Sequence, residues 1–388
     1  MIIINQPVLS YEGETIKLSS EIEIANQTEN LWFQLPREFE KYISLENCDS
    51  FLVGILPKAM EMGYDISIKS KISSRLYYTI NHYLMPALKF ADSKFKTINI
   101  NPDKLYDENV NTGNSAGMGL SCGVDSFATY YDHIKDNPPF KIEYFTFVNA
   151  GSLGDYGGEN TRKLFKQKFK QVSKFANSQK IELIPIDSNI SEILRMNFQR
   201  THTFRNLSCI LNLQKLFRNY YYASPHRFDQ FDISSKDSGD YDLLNTQYLS
   251  TQSITFFSSA VHLNRIERTE FISNYPATYK NLDICTNSRN SGKFINCSKC
   301  DKCMRTALTL EILGKLNLYK EVFDLDVYKS EKVRFIGKIL NEKDNVFSRE
   351  LAILLKNSKY WSPLFRIALL DEKIDKYKKG LKKMLKSK

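Results

Sequence analysis

The stretch that most constrains this chain is Gly117-Met-Gly-Leu-Ser-Cys-Gly-Val-Asp-Ser126, followed at once by the apolar, aromatic run Phe127-Ala-Thr-Tyr-Tyr131. The order predicts a short buried strand ending at Leu120, a tight turn, and a helix. Gly123 is expected to permit the turn and Ser126 to open the helix. A helix start presents backbone N–H groups and the positive end of a dipole, and with the hydroxyls of Ser121 and Ser126 these suit a phosphate. Asp125 conflicts with a phosphate unless a cation lies between them. Mg²⁺ shared by that carboxylate and phosphate oxygens resolves the conflict and predicts a nucleoside triphosphate. A serine-capped helix without a ligand is the competing reading.

Two other phosphate loops do not fit. A Walker loop needs Gly-Lys followed by Ser or Thr, whereas Gly292-Lys293, Gly314-Lys315 and Gly337-Lys338 are followed by Phe, Leu and Ile. A dinucleotide fingerprint needs glycine or alanine at 122 and an acidic residue near the end of the next strand, where the chain has Cys122 and Asn149.

Along the chain, Thr15 to Ala25 alternates apolar and polar residues and reads as a half-exposed strand, with Leu31 to Leu35 a second. Ser50 to Met62 and Ile72 to Ala91 have helical spacing, and Lys96 to Ile100 reads as strand. The polar segment Asn101 to Ser115 is the expected linker. Strand and helix then alternate: Tyr144 to Asn149, a helix from about Glu159 to Asn177, Ile181 to Ile186, a helix from about Arg205 to Phe217, and Tyr220 to Ala223. Such alternation predicts a parallel sheet covered by helices on both faces, with ligands at the carboxyl ends of the strands. Residues from Leu316 on read as helical, including Glu350 to Lys356 and Tyr360 to Leu370. The expected division is an α+β N-terminal domain over 1–110, an ATP-binding α/β domain over 111–318, and a helical C-terminal extension over 319–388.

Length and composition bound the function classes. The 388 residues are 42% hydrophobic and 25% charged, ordinary for a globular protein, and no apolar run approaches the ~20 residues of a membrane span. The first residues lack a signal-peptide pattern, so a cytoplasmic location is expected. The net charge is +10, and half of it falls in the last 18 positions, where eight Lys face three acidic residues. A solvated, Lys-rich end is favoured over RNA contact or an acidic protein partner.

Cys285, Cys297, Cys300 and Cys303 form a Cys-x11-Cys-x2-Cys-x2-Cys pattern. Four thiolates at knuckle spacing suit a closed, structural Zn²⁺ site. An iron–sulfur cluster is the minority alternative. Cys48, Cys122 and Cys209 are expected to be buried thiols; Cys122 as a nucleophile at a helix start is the sharper reading. Of His82, His133, His202, His226 and His262, only His202, beside Arg205, is singled out for a functional test.

Ser121-Cys-Gly-Val-Asp-Ser126 resembles the Ser-Gly-Gly-x-Asp-Ser loop of the PP-loop ATP pyrophosphatases, with Cys122 in place of glycine. A PP-loop followed by a late four-cysteine knuckle resembles 7-cyano-7-deazaguanine synthase and its relatives. Thr203-Phe-Arg-Asn206 is similar to that family's Pro-Gly-Arg-Asn segment, and Asp237-Ser-Gly-Asp-Tyr-Asp242 to its Ser-Gly-Tyr-Pro-Asp segment, without the cysteine that follows. Asn264 to Ile272 resembles its Thr-Lys-x-Glu-Ile helix, with Arg268 near the Lys.

The resemblance spans roughly residues 115 to 315 and implies a PP-loop fold of the HUP type. It implies that Leu120, Ser121, Cys122, Gly123, Val124, Asp125 and Ser126, with Arg205 and Asn206, hold ATP and Mg²⁺, and that Asp125, Ser126 and Arg205 serve catalysis. It further implies that a 7-deazaguanine acid is activated as an acyl-adenylate and passed to ammonia or to a protein amine. The residues outside the resemblance suggest a modifying enzyme of a bacterial defence operon, with partner proteins bound through the N-terminal domain. The alternatives are an inactive nucleotide-binding subunit of a complex and a tRNA sulfur-transfer enzyme.

Overall fold

The structure is a computed structural model that describes residues 1–286, 293–342, 344–363 and 365. The chain divides into two compact units: residues 1–121 with 129–262, and residues 122–128 with 263–388. The Lys-rich end and most of the helix expected over Tyr360 to Leu370 lie outside the described residues. Among those described, no helix is long and apolar enough to cross a membrane.

The first unit contains one eleven-stranded sheet. Its strands are β1 (Ile2–Ile4), β2 (Val8–Glu12), β3 (Thr15–Ile24), β4 (Gln27–Pro36), β5 (Ile66–Ser73), β6 (Ile100–Tyr106), β7 (Ser115–Gly119), β8 (Ile142–Asn149), β9 (Glu182–Ser188), β10 (Phe217–Ala223) and β11 (Thr255–Ser259). The order is β11-β10-β7-β8-β9-β4-β3-β1-β5-β6, with β2 paired to β3. Most neighbouring pairs are parallel; β3 pairs antiparallel with β1, β2 and β4, and β4 pairs antiparallel with β9.

The helices are α1 (Asp49–Met62), α2 (Ser74–Thr79), α3 (Met85–Ala91), α4 (Val124–Asp132), α5 (Glu159–Gln179), α6 (Ile190–Leu194), α7 (Phe198–Leu211) and α8 (Asp242–Tyr248), followed by α9 (Arg265–Ile272), α10 (Asp301–Ile312), α11 (Leu325–Asn341) and α12 (Val346–Lys356). The expected α/β class with a mostly parallel sheet flanked by helices is therefore present.

The alternation in β3 does what its period dictates. Ile16, Leu18 and Ile22 are buried, and Ile16 and Leu18 register against Leu35 and Phe33 of β4. The boundary expected at 110/111 does not divide the sheet. Phe33 and Gln34 of β4 pair with Ser188 and Asp187 of β9, so the first strands extend the second half of the sheet. Helix α1 also packs on α7: the Ser208 hydroxyl donates to the Ser50 carbonyl at 2.8 Å, and Gly54 lies so close that a Cβ there would come within 2.9 Å of Ile190 and Ser208. The strand expected at Lys96 to Ile100 begins at Ile100 and runs on to Tyr106, through much of the expected linker.

The second unit holds residues 122–128, α9 to α12 and the cysteine-rich segment. The boundary expected at 318/319 is no break either, because α10, which begins within the cysteine knuckle, packs against α11 and α12.

Candidate functional site

Within the first unit, β7 lies between β8 and β10, where the strand order reverses. In open α/β sheets this switch point is where ligands gather at the carboxyl ends of the strands. Leu120 prolongs β7 through a hydrogen bond from its N–H to the Thr146 carbonyl at 2.9 Å and is buried, as expected of a strand end.

The turn that follows differs from its sequence reading. The helix opens at Val124, not at Ser126, and the Ser126 hydroxyl donates to the Gly123 carbonyl at 3.1 Å. Cys122, not Gly123, adopts the left-handed conformation, with φ of +57°. An L-residue there carries a steric cost of roughly 1–2 kcal/mol that glycine avoids. The Cys122 side chain is buried, and its carbonyl accepts from the Asp283 N–H at 2.8 Å. Those contacts agree with a packing role. Ser121 is exposed.

Asp125, on the first turn of α4, has both carboxylate oxygens engaged. Oδ2 accepts from Arg265 Nη1, and Oδ1 accepts from Arg268 Nη1 at 2.9 Å. Burial pushes this carboxyl up, but the two guanidinium groups outweigh burial and hold it at about 2. The arginines lie one turn apart on α9, whose start is fixed by a capping box. Asn264 Oδ1 accepts from the Ile266 and Glu267 N–H groups, and Glu267 returns a bond to the Asn264 N–H at 2.7 Å.

Lys302 and Arg305, one turn apart on α10, add two more cations to this group. Burial, and then Arg265, lower the Arg305 guanidinium to about 10. Desolvation of the Lys302 ammonium, and then Arg265, lower its pKa. Nε of Arg265, Nε of Arg305 and Oγ1 of Thr306 are buried without a hydrogen-bond partner. An unmet buried donor costs about 1–3 kcal/mol, a cost an anion at this place would remove. The second unit thus offers anion-binding chemistry around Asp125.

Arg205 stands in the middle of α7 rather than at a helix start, and is wholly buried. Nη1 donates to Ser191 Oγ at 2.8 Å and to the Ala150 carbonyl at 3.3 Å, and Nη2 donates to the Met196 carbonyl at 2.5 Å. Burial lowers its pKa to about 10 against the opposing pull of Asp155. These partners belong to the first unit, and those of Asp125 to the second. Asn206 is half-buried and lies near the buried Tyr222 hydroxyl.

His202 joins a second polar group in the first unit. Its ring nitrogens contact the Tyr222 hydroxyl and Asp237 Oδ1, both at 2.7 Å. Asp242, at the end of the segment that resembles Ser-Gly-Tyr-Pro-Asp, is the buried first residue of α8. Burial raises its carboxyl to about 6, against the hydrogen bond from the Ser258 hydroxyl at 2.8 Å.

The four cysteines converge as expected, with all four Sγ atoms within 4.8 Å of one another. Cys300 Sγ is 3.3 Å from Cys303 Sγ, which is 3.9 Å from Cys297 Sγ. Tetrahedral Zn–S bonds of about 2.3 Å would separate sulfurs by about 3.8 Å, so the cluster fits a zinc-sized metal ion. The Cys300 N–H points at Cys297 Sγ at 3.4 Å, and Ser298 takes a left-handed φ of +57° to form the knuckle. Buried Asn296 ties the knuckle down, accepting from the Ile284 N–H and donating to the carbonyls of Leu282 and Val322.

No family model, curated protein or solved structure matches this chain. What fold and side chains define is an α/β protein with a mostly parallel sheet and a four-cysteine cluster able to bind a metal.

Proposed function

We propose that the chain is an ATP-dependent, AMP- and pyrophosphate-forming enzyme that activates a carboxylate and transfers it to an amine. The observation that carries this reading is the cationic group around Asp125 at the start of α4, with the unmet buried donors of Arg265 and Arg305. Ser121 to Ser126 would hold the β- and γ-phosphates, and Arg265, Arg268, Lys302 and Arg305 would neutralise them. Mg²⁺ would take Asp125 in exchange for a guanidinium partner and would supply further charge neutralisation. A carboxylate oxygen attacks the α-phosphorus as pyrophosphate leaves, and the amine then attacks the acyl carbonyl as AMP leaves. Catalysis of this kind rests on positioning and charge, with no side-chain nucleophile.

The resemblance of the loop and knuckle to 7-cyano-7-deazaguanine synthase supports a 7-deazaguanine acid as the carboxylate, with ammonia or a protein amine as acceptor, in a bacterial defence setting. A second reading, a nucleotide-binding subunit without turnover, is favoured by the engagement of both Asp125 oxygens and by Cys122 in place of glycine. Purified protein incubated with ATP, Mg²⁺, ammonium and 7-carboxy-7-deazaguanine is expected to release AMP and pyrophosphate. ATP binding without AMP would favour the subunit reading. Neither binding nor turnover would defeat both.

A further inference from the structure

Beyond the loop and the cysteines, the first unit contains a hydrogen-bonded chain of three side chains that neither feature explains. His133, just past the end of α4, contacts Asp136 Oδ2 through Nδ1 at 2.6 Å and Ser259 Oγ through Nε2 at 2.9 Å. These are the connections of a nucleophile, its base and the carboxylate that orients the base. With Asp136 accepting from Nδ1–H, Nε2 is left to accept the Ser259 hydroxyl proton. The ring is held flat on Tyr221, with centroids 3.8 Å apart and planes inclined by 23°. The loop carrying Asp136 is tied to β10 in turn: the Tyr221 hydroxyl donates to the Phe140 carbonyl and Asn219 Nδ2 to the Pro139 carbonyl, each at 2.8 Å.

The setting is that of a binding site as well as a hydrogen-bond chain. All three residues line a cavity of about 710 Å³, within the range of small-molecule sites. Its wall includes Phe140, Phe228 and Phe257, large aromatic side chains that are 49%, 59% and 38% exposed. Ser259 ends β11, and the residue after it, Ala260, is held at φ of +57°. Left-handed backbone at a non-glycine residue is a form of strain that collects at functional sites.

We propose that Ser259 and His133 are catalytic residues of an acyl-transfer site, with Asp136 as positioning residue, acting on carboxylic esters with an aromatic or apolar acyl group. Ser259 Oγ bonds to the acyl carbon while its proton passes to His133 Nε2. The ester C–O bond then breaks and that proton leaves with the alcohol. Water, deprotonated by the same nitrogen, releases the acid and restores the serine. The site needs neither ATP nor the cysteine cluster, so it stands or falls independently of the function proposed above.

The test is treatment of the full-length protein with an alkyl fluorophosphonate, in which the Ser259 oxygen displaces fluoride from phosphorus, followed by peptide mass mapping. The expected result is one phosphonyl group on the peptide containing Ser259, its loss in Ser259→Ala, and labelling slowed at least about 100-fold in His133→Gln. Asp136→Ala is expected to slow labelling, and Asp136→Glu to restore it at an unchanged melting temperature. Hydrolysis of p-nitrophenyl butyrate should follow the same order. Wild-type protein unmodified at Ser259, or labelling unchanged in a folded His133→Gln variant, overturns the proposal.

Discussion

Asp125 and Arg268 are paired at 2.9 Å, and the Arg268 side chain is completely buried. A buried guanidinium must keep a counter-charge, so this carboxylate is structural before it is anything else.

Asp125→Asn is therefore expected to destabilise the protein as well as stop pyrophosphate release. Breaking a buried pair costs about 3–5 kcal/mol, reduced here because the Asp125 side chain remains 26% exposed. The folded-state pKa, about 2, lies below the ordinary 3.8. The pair's stabilisation is thus present above about pH 4 and is lost as pH falls through about 2. Melting curves at neutral pH and across that window check both points: the variant should melt lower at neutral pH, and the gap should close in acid.

Cys122→Gly tests whether the thiol does chemistry. Glycine relieves the left-handed strain at φ of +57° while giving up the buried side chain, two effects of about 1 kcal/mol each that oppose one another. The melting temperature should change little and AMP release should persist. Loss of turnover in a folded Cys122→Gly protein would assign the sulfur a reactive role.

Asp242→Asn should remove a pH dependence at mildly acidic pH. The wild-type carboxyl, raised from 3.8 to about 6, binds its proton more tightly when folded, so its contribution to stability falls as pH rises through that interval. The variant can still accept the Ser258 hydroxyl bond, 2.8 Å long in the wild type. Its melting temperature should gain on the wild type's between about pH 4 and pH 6 and run parallel to it above.

One zinc per chain is expected on elemental analysis, with colourless protein. Chelation, or Cys300→Ser or Cys303→Ser, should lower the melting temperature by removing part of the ~10–16 kcal/mol that structural zinc sites hold. Iron with visible absorption would replace zinc by a cluster.

The elements legible in the sequence were those whose signal is local. The alternation in β3 and the apolar runs of β8 and β9 reported half-buried and buried strands, and the spacing of Cys297, Cys300 and Cys303 reported their convergence. Strand β6 was misplaced because it is a sheet edge with several exposed polar residues, Asn101 and Asp103 among them, and so lacks an apolar pattern. The conformation of Cys122 left no trace, since residue type predicts a left-handed backbone only where glycine or asparagine stands. The meeting of Arg265 with Asp125 joins residues 140 positions apart, and His133 with Ser259 joins residues 126 apart. Neither Arg265 nor His133 carries a local signal of its partner, which only the fold supplies.

The antiparallel seam at Phe33 and Ser188 also sets a schedule for synthesis. At about 5–20 residues per second, β4 leaves the ribosome roughly 8–30 s before β9 exists to cover its edge. During that interval β4, paired with β3 on one side, leaves its other edge open beside Leu31, Phe33 and Leu35, a template for aggregation. A fragment cut near residue 110 would keep that edge open permanently.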